Sequence, residues 1–364
     1  MKRLFNSHFH IGIVSLLGII GIFLMRNMDS HRTVTRDGVA MDTVIRLTVS
    51  AAKSKTELEC ILDEAFEILA DMEKDFSMYA PNSDISMINA NSGVSPVPVN
   101  PNVYNALKTA FDVASLTYGA YDPTIGPVTS LWKRKTNEHS IPSNMEILDA
   151  ASKVGYNDLI LYDPNMAYLK TQEGALDLGG IGKGYASMEV KNLLISRGVT
   201  SALIDLGGNI VVFGGRPTDS KTTERKPWRI GIQDPSKPRG TALCTVDIYD
   251  GSIITAGVYE RRREIDGHLY THIFDPRRGR PIEGNLSSVT IISNDPTQAD
   301  ALSTALIVMG TDRSLDLLRI LPGFDAVFIS ESGEGSYEIL ATGGLRDSLK
   351  TESSNSTVEF SDVI

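Results

Sequence analysis

Two cysteines, Cys60 and Cys244, are all that 364 residues contain. That number excludes a Cys-rich zinc site and a disulfide framework. Cys60 falls in a helical pattern and Cys244 in a strand-like run, so both read as buried small hydrophobes. Basic clusters are missing too. The formal net charge is −10 and no Lys/Arg patch dominates, which argues against a nucleic-acid partner. No internal repeat stands out. Charged residues make up an ordinary 22% beside 41% hydrophobic ones, so the chain can bury a sizeable core and lacks the composition of a disordered protein.

One long apolar run is present, at the N-terminus. Lys2 and Arg3 precede Ile11 to Met25, which only Ser15 and glycines interrupt. A basic start followed by such a run predicts a signal peptide or signal-anchor over 1–26. Arg26, Asn27 and Met28 follow instead of a small-residue cleavage site, so an uncleaved apolar anchor helix is expected, with the bulk of the chain outside the membrane. Residues 27–40 read as a polar stalk, and the Ser/Thr/Glu-rich 347–364 as a disordered polar tail.

Between them, periodicity predicts strands at 43–50, 201–213, 228–232, 242–249, 268–274 and 287–293. It predicts a hairpin over 159–170 and helices at 54–75, 102–117, 142–153, 187–197, 297–309 and 313–318. The segment APNSDISMINANSG reads as a polar loop. Strands and helices mix without strict alternation, so the fold class is α+β, with mixed sheets and packed helices.

Four blocks carry chemistry. In Asp177-Leu-Gly-Gly-Ile-Gly-Lys-Gly-Tyr185, glycines at a helix start let backbone N–H groups approach an anion, and Lys183 adds charge. Lys183 precedes Gly184, so this is not a Walker A loop, and Ser187 stands where a dinucleotide fingerprint needs its third glycine. In Gln298-Ala-Asp300-Ala-Leu-Ser303-Thr304, Asp300 and Thr304 share a helix face and suit a hard cation, Mg²⁺ or Ca²⁺. His272, in Tyr270-Thr-His272-Ile-Phe-Asp275-Pro, is a candidate base. Gly119-Ala-Tyr121-Asp122-Pro-Thr-Ile-Gly-Pro127 forms a rigid loop whose Tyr121, like Tyr79, could pack on a flat ring. Taken singly, each block also has a structural explanation: a tight turn, a helix-start Asp, a structural histidine, an aromatic beside a turn.

Their combination and order are more telling. Met41-Asp-Thr43, Ser77-Met-Tyr79 with Ser83-Asp-Ile-Ser86 and Asn89, GAYDPTIGP, DLGGIGKGYA, IDLGGNI, HIFDPRRGRPI and ADALSTALIVMG closely resemble the ApbE family, the FAD:protein FMN transferases, over about residues 41 to 343. The resemblance implies a single FAD-binding transferase domain over 41–346. It implies flavin and adenine contacts at Met41, Tyr79, Ala120, Tyr121, Asp122, Asp177, Lys183 and Phe274. It implies a cation held by Gly180 and Ser303 through their carbonyls and by Asp300 and Thr304. His272, with Asp275 as second candidate, would assist proton removal from an acceptor hydroxyl. FMN would pass to a Thr or Ser of another protein by a phosphoester, with AMP leaving. The family's acceptors carry Asp-x-x-Ser/Thr-Gly-Ala-Ser/Thr, which this chain lacks. The expected partners are FAD and acceptor subunits of membrane redox complexes. The expected location is a bacterial inner membrane, with the domain on the periplasmic side. This chain departs from the family pattern at Asp42, where glycine is usual, and at Ala256 and Val258, where serine and aspartate are usual. An FAD pyrophosphatase and a non-catalytic flavin-binding protein are the alternatives.

Overall fold

Alternation between two apolar faces builds the centre of this protein. The computed structural model describes residues 31–218, 224–265, 267–333, 335–352 and 358–362; the expected N-terminal anchor lies outside them. Nine strands form one sheet: β1 (Arg32–Ala40), β2 (Thr43–Ala51), β3 (Ser201–Leu206), β4 (Asn209–Phe213), β5 (Gly251–Gly257), β6 (Leu286–Ser293), β7 (Phe324–Gly333), β8 (Ser336–Thr342) and β9 (Val358–Ser361). They lie side by side in chain order. Every neighbouring pair is antiparallel except β8 with β9.

Successive side chains of a strand point to opposite faces. Ile254, Ile291, Ala326 and Phe328 therefore join a helix-covered core. Their neighbours Ile253, Ile292, Val327 and Ile329 join a second core with Trp228, Ile230, Val246 and Leu349. That second face is covered by a three-stranded sheet of Trp228–Gln233, Ala242–Ile248 and Leu349–Thr351. Burial on both faces explains the near-continuous apolar runs of the central strands.

Helices cover the first face: α1 (Lys55–Phe76), α2 (Asp84–Ala90), α3 (Pro101–Leu116), α6 (Gly182–Ser196), α7 (Pro296–Met309) and α8 (Thr311–Leu318), while α4 (Gly126–Asn137) and α5 (Asn144–Ser152) pack on each other around a smaller core of Val128, Leu131, Trp132, Ile147 and Ala150. α1 starts at a capping box. Ser54 Oγ accepts from Glu57 N at 3.2 Å, and Glu57 Oε2 accepts from Ser54 N at 2.8 Å, an arrangement worth about 1 kcal/mol. Its buried stripe, Leu58, Ile61, Leu62, Ala65, Leu69, Met72 and Phe76, follows the helical period. α6 and α7 pack against each other, and α7 lies on β5 and β6. This contact positions the site.

The expected architecture, α+β with mixed sheets and packed helices, is the one observed. Several local expectations need correction. Arg32–Ala40, expected within the polar stalk, is edge strand β1, paired residue by residue with β2. Its polar alternation is that of an edge with a solvent-facing side. The expected disordered tail contributes Leu349–Thr351 and β9 to sheets. The polar loop after α1 contains α2, which Ser83 caps by accepting from Ser86 N at 2.9 Å and which buries Ile85 and Ile88. α4 was missed as well. Pro127 at its start is tolerated because the first helical N–H groups need no partner inside the helix. The strand expected over 268–274 is two short pieces, His268–Tyr270 and Phe274–Asp275. Cys60 is exposed, against expectation, whereas Cys244 is buried, and both are free.

Met41 and Asp42 form the two-residue turn between β1 and β2, with φ of 52° and 57°. Both values are left-handed, as a type I′ hairpin requires. Aspartate tolerates this region better than most residues, and glycine tolerates it without strain. Asp42→Gly is therefore expected to raise stability by about 0.5 kcal/mol, read as a higher urea midpoint. A lower midpoint would contradict the strain argument.

Candidate functional site

Residues 175–184 form the centre of the site, and four separate elements pin them. Asn89 at the end of α2 grips Leu176 twice: Asn89 Nδ2 donates to Leu176 O at 3.1 Å, and Leu176 N donates to Asn89 Oδ1 at 2.7 Å. The 119–127 loop runs parallel alongside, with Gly126 N donating to Ala175 O at 3.0 Å and Asp177 N to Pro123 O at 2.8 Å. Thr129 of α4 donates to Asp177 Oδ2 at 2.9 Å, while Asp177 Oδ1 accepts from Gly179 N at 2.9 Å. Finally, Gly184 N donates to Asp300 Oδ2 at 2.8 Å. The glycine-rich turn and the α7 face thus meet in one place.

Glycine is required at that meeting. A Cβ on Gly184 would fall inside the backbone carbonyl of Pro296 and 2.7 Å from Asp300 Cβ. A Cβ on Gly180 would lie 3.2 Å from the Tyr121 ring and 3.4 Å from Thr304 Oγ1. Gly180, Tyr121, Asp300 and Thr304 are therefore neighbours, although they come from three chain segments. Met41 reaches the same place, its Cε 3.6 Å from a Cβ placed on Gly182. Ser303 is buried, and its hydroxyl donates to Asp300 O at 2.7 Å.

Some expected roles change with these positions. Tyr121 is only 4% exposed, so its ring is packed and offers no open face for stacking. Burial, and after it the negative charge of Asp300, Asp177 and Asp122, raises its pKa well above that of a free phenol, so the hydroxyl stays protonated. Asp122 is buried, and its carboxylate holds its own loop and ties it to Tyr156. Oδ1 accepts from Thr124 N at 2.8 Å and Thr124 Oγ1 at 2.6 Å, and Oδ2 accepts from Tyr156 N at 2.9 Å. Ala120 beside it is buried. Asp275 Oδ1 accepts from Arg277 N at 3.0 Å and so organises a turn, which weakens its candidacy as a base. Tyr79 is 57% exposed, with Lys133 Nζ lying 3.5 Å over one face of its ring. That leaves it the better placed of the two tyrosines for a flat ligand.

His272 lies in the segment between β5 and β6. Its imidazole is pushed down to about 4, first by desolvation, then by the charge of Arg261 and, more weakly, Lys183; a hydrogen bond to the Glu260 backbone opposes this. Solvent still reaches the side chain. His272 is an exposed residue, so neighbouring protein atoms crowd the ring without enclosing it. Phe274 packs its ring 5.8 Å from Trp132, and Trp132 Nε1 donates to Gly279 O at 2.9 Å. α4 thus carries the His272 segment as well as Thr129. Thr129, Lys133 and Arg261 were not expected at the site from sequence. The only local signal for the first two was Pro127, the helix start that was missed.

Asp300 and Thr304 lie one turn apart on α7, and Gly180 borders Thr304. One carboxylate oxygen of Asp300 is taken by Gly184 N, leaving the other for a ligand. Among the described residues no group of three or more His, Cys, Asp or Glu side chains could hold a metal ion. A site here would draw on one carboxylate supplemented by hydroxyl and carbonyl oxygens. That donor set fits a hard cation and does not suit the softer metals that seek thiolate or imidazole.

The ApbE family model matches residues 41–328. An FAD:protein FMN transferase of Treponema pallidum is 33% identical over 306 residues, 82% of this chain and 84% of that protein. One of Escherichia coli K12 is 30% identical over 304 residues, with the same coverage of 82% and 84%. An ApbE protein of Thermotoga maritima superposes with a TM-score of 0.74 at 31% identity, over 83% of this chain and 96% of that one. The flavin transferase ApbE of Vibrio cholerae does so with a TM-score of 0.74 at 26% identity, over 87% and 99%.

Proposed function

The chain belongs to the ApbE family, and on that premise we propose that this transferase moves the FMN half of FAD onto a Thr or Ser hydroxyl of an acceptor protein and releases AMP. The observation that carries the reading is the Gly184 N–H to Asp300 carboxylate bond. It joins the glycine turn that carries Lys183 to a helix face able to hold a cation, and a diphosphate needs positive charge of both kinds.

In this reading the acceptor oxygen bonds to the FMN-side phosphorus as the bridging P–O bond to AMP breaks. The chain contributes mainly position and charge. The Gly179, Ile181, Gly182 and Gly184 amides of the turn donate to Asp177, Leu178, Leu178 and Asp300, so the charge of Lys183 is what the turn would offer the diphosphate. Met41 and Tyr79 border the flavin, with Ala120 and the Phe274 segment beside them. Asp177, held by Thr129 and Gly179, ties the glycine turn to α4, and Asp122, held by Thr124 and Tyr156, ties the 119–127 loop to the segment at 156. His272 takes the acceptor proton. Gly180 and Ser303 through their carbonyls, with Asp300 and Thr304, would hold Mg²⁺, or Ca²⁺ in its place. When bound, the cation neutralises charge gathering on the diphosphate.

Ala256 and Val258, where the family pattern departs, pack against the helix-side core. They alter the wall behind the site and leave the proposed cation ligands intact. The basic start and apolar run of 1–26 support tethering to a bacterial inner membrane, with the domain on the periplasmic side and acceptor subunits of membrane redox complexes as partners.

The test is mass spectrometry of an acceptor peptide incubated with the protein, FAD and Mg²⁺. Transfer adds the mass of FMN to the peptide and releases AMP. Rapid release of FMN and AMP with no gain on the peptide would establish a pyrophosphatase instead. Tight FAD binding with no AMP released would establish a flavin-binding protein.

The pH dependence follows from His272. A base must be neutral to accept a proton, and a depressed pKa keeps it neutral at lower pH. The acid limb of kcat/KM, which reports the free enzyme, is therefore expected near pH 4, below the usual 6.5 of histidine. Arg261→Gln should move that limb upward, because a repelling charge is removed. An acid limb that stays in place in His272→Ala would remove this residue from the role.

A further inference from the structure

Tyr121 carries a hydroxyl that the transferase chemistry above does not use. It is a buried polar atom that meets no hydrogen-bond partner among the described residues. A buried hydroxyl left without any partner costs about 1–3 kcal/mol, and such atoms in a well-packed protein call for a reason. The surroundings supply one. The ring lies against Gly180, whose other near neighbour is Thr304 Oγ1. Among charged groups, Asp300 acts on the hydroxyl most strongly, followed by Asp177 and Asp122. A partnerless hydroxyl therefore sits on a ring that borders Gly180 and Thr304, two of the residues able to hold a cation.

We propose that the Tyr121 hydroxyl belongs to the cation site: a water carried on the bound cation donates a hydrogen bond to the Tyr121 oxygen. A small hard cation such as Mg²⁺ keeps several of its waters, and those waters need acceptors. Outer partners of this kind orient a site and set its affinity. Asp300, Thr304 and the Gly180 and Ser303 carbonyls would hold the cation, and Tyr121 would meet one of its waters. The inference rests on the transferase reading, because it assumes that the 300–304 face holds a cation.

The test is Tyr121→Phe, which keeps the ring against Gly180 and deletes only the oxygen. Two effects of opposite sign are expected. The ligand-free protein should melt about 2 °C higher, because an unpaired buried hydroxyl is gone. Its affinity for Mn²⁺, titrated by electron paramagnetic resonance with saturating FAD and no acceptor, should fall about tenfold. Unchanged Mn²⁺ affinity, or a lower melting temperature without ligand, overturns the proposal. If the wild-type protein binds Mn²⁺ and transfers FMN while Tyr121→Phe matches it in both, the Tyr121 assignment alone fails. If the wild-type protein binds no Mn²⁺ with FAD, the cation-dependent transferase reading falls together with it.

Discussion

Asp300→Ala is expected to abolish FMN transfer, with a loss on the order of 10³-fold or more, and to weaken cation binding in parallel. The carboxylate has two tasks. Oδ2 receives Gly184 N at 2.8 Å and so ties the start of α6 to α7. The remaining oxygen is the carboxylate oxygen that the proposed cation site calls on. Asp300 is 4% exposed, so alanine leaves the Gly184 amide buried without a partner, at about 1–3 kcal/mol. Asp300→Asn separates the two tasks. Its amide oxygen can still accept from Gly184, so the fold should survive while the negative charge is lost. AMP release and Mn²⁺ titration of both variants are the measurements. Full transfer by purified Asp300→Ala, with an unchanged metal requirement, would remove Asp300 from the cation site.

Gly184→Ala should do comparable damage by a different route. The new methyl would enter the carbonyl oxygen of Pro296 and come within 2.7 Å of Asp300 Cβ. The nearest obstacle is backbone, which cannot rotate away as a side chain can. The starts of α6 and α7 must then separate, breaking the Gly184–Asp300 bond. A destabilisation of about 3 kcal/mol is expected from such overpacking, read as a lower urea midpoint, together with loss of transfer. Gly333 is the control. A Cβ there meets nothing within 4 Å and its φ lies outside the strained range, so Gly333→Ala should leave both stability and transfer unchanged. If Gly184→Ala behaved like Gly333→Ala, the close approach of the two helices would not be a requirement of the site.

Much of this was legible from local pattern. The spacing of Leu58, Ile61, Leu62, Ala65 and Leu69 marks α1, and the position of Asp300 and Thr304 one turn apart marks a face. The glycines of 179–184 announce close backbone approach, which Gly180 and Gly184 both make. Other features escaped. α2 is seven residues long, too short for a periodic signal, and its cap and two buried isoleucines read as loop. β1 and β9 carry few apolar residues, and they are strands because β2 and β8 supply the missing hydrogen-bond partners.

By itself the sequence determined which chemical groups are available and how they are spaced along each helix or strand, because spacing within an element follows from its own backbone period. It also determined the family, through ordered motifs. Only the tertiary structure decided which groups are free to act. Tyr121 and Asp122 are adjacent in sequence and both buried, yet one hydroxyl is unpaired while the other residue's carboxylate is fully taken by Thr124 and Tyr156. That difference depends on what lies across space, and partners such as Tyr156, Gly180 and Thr304 come from segments whose approach no local pattern encodes.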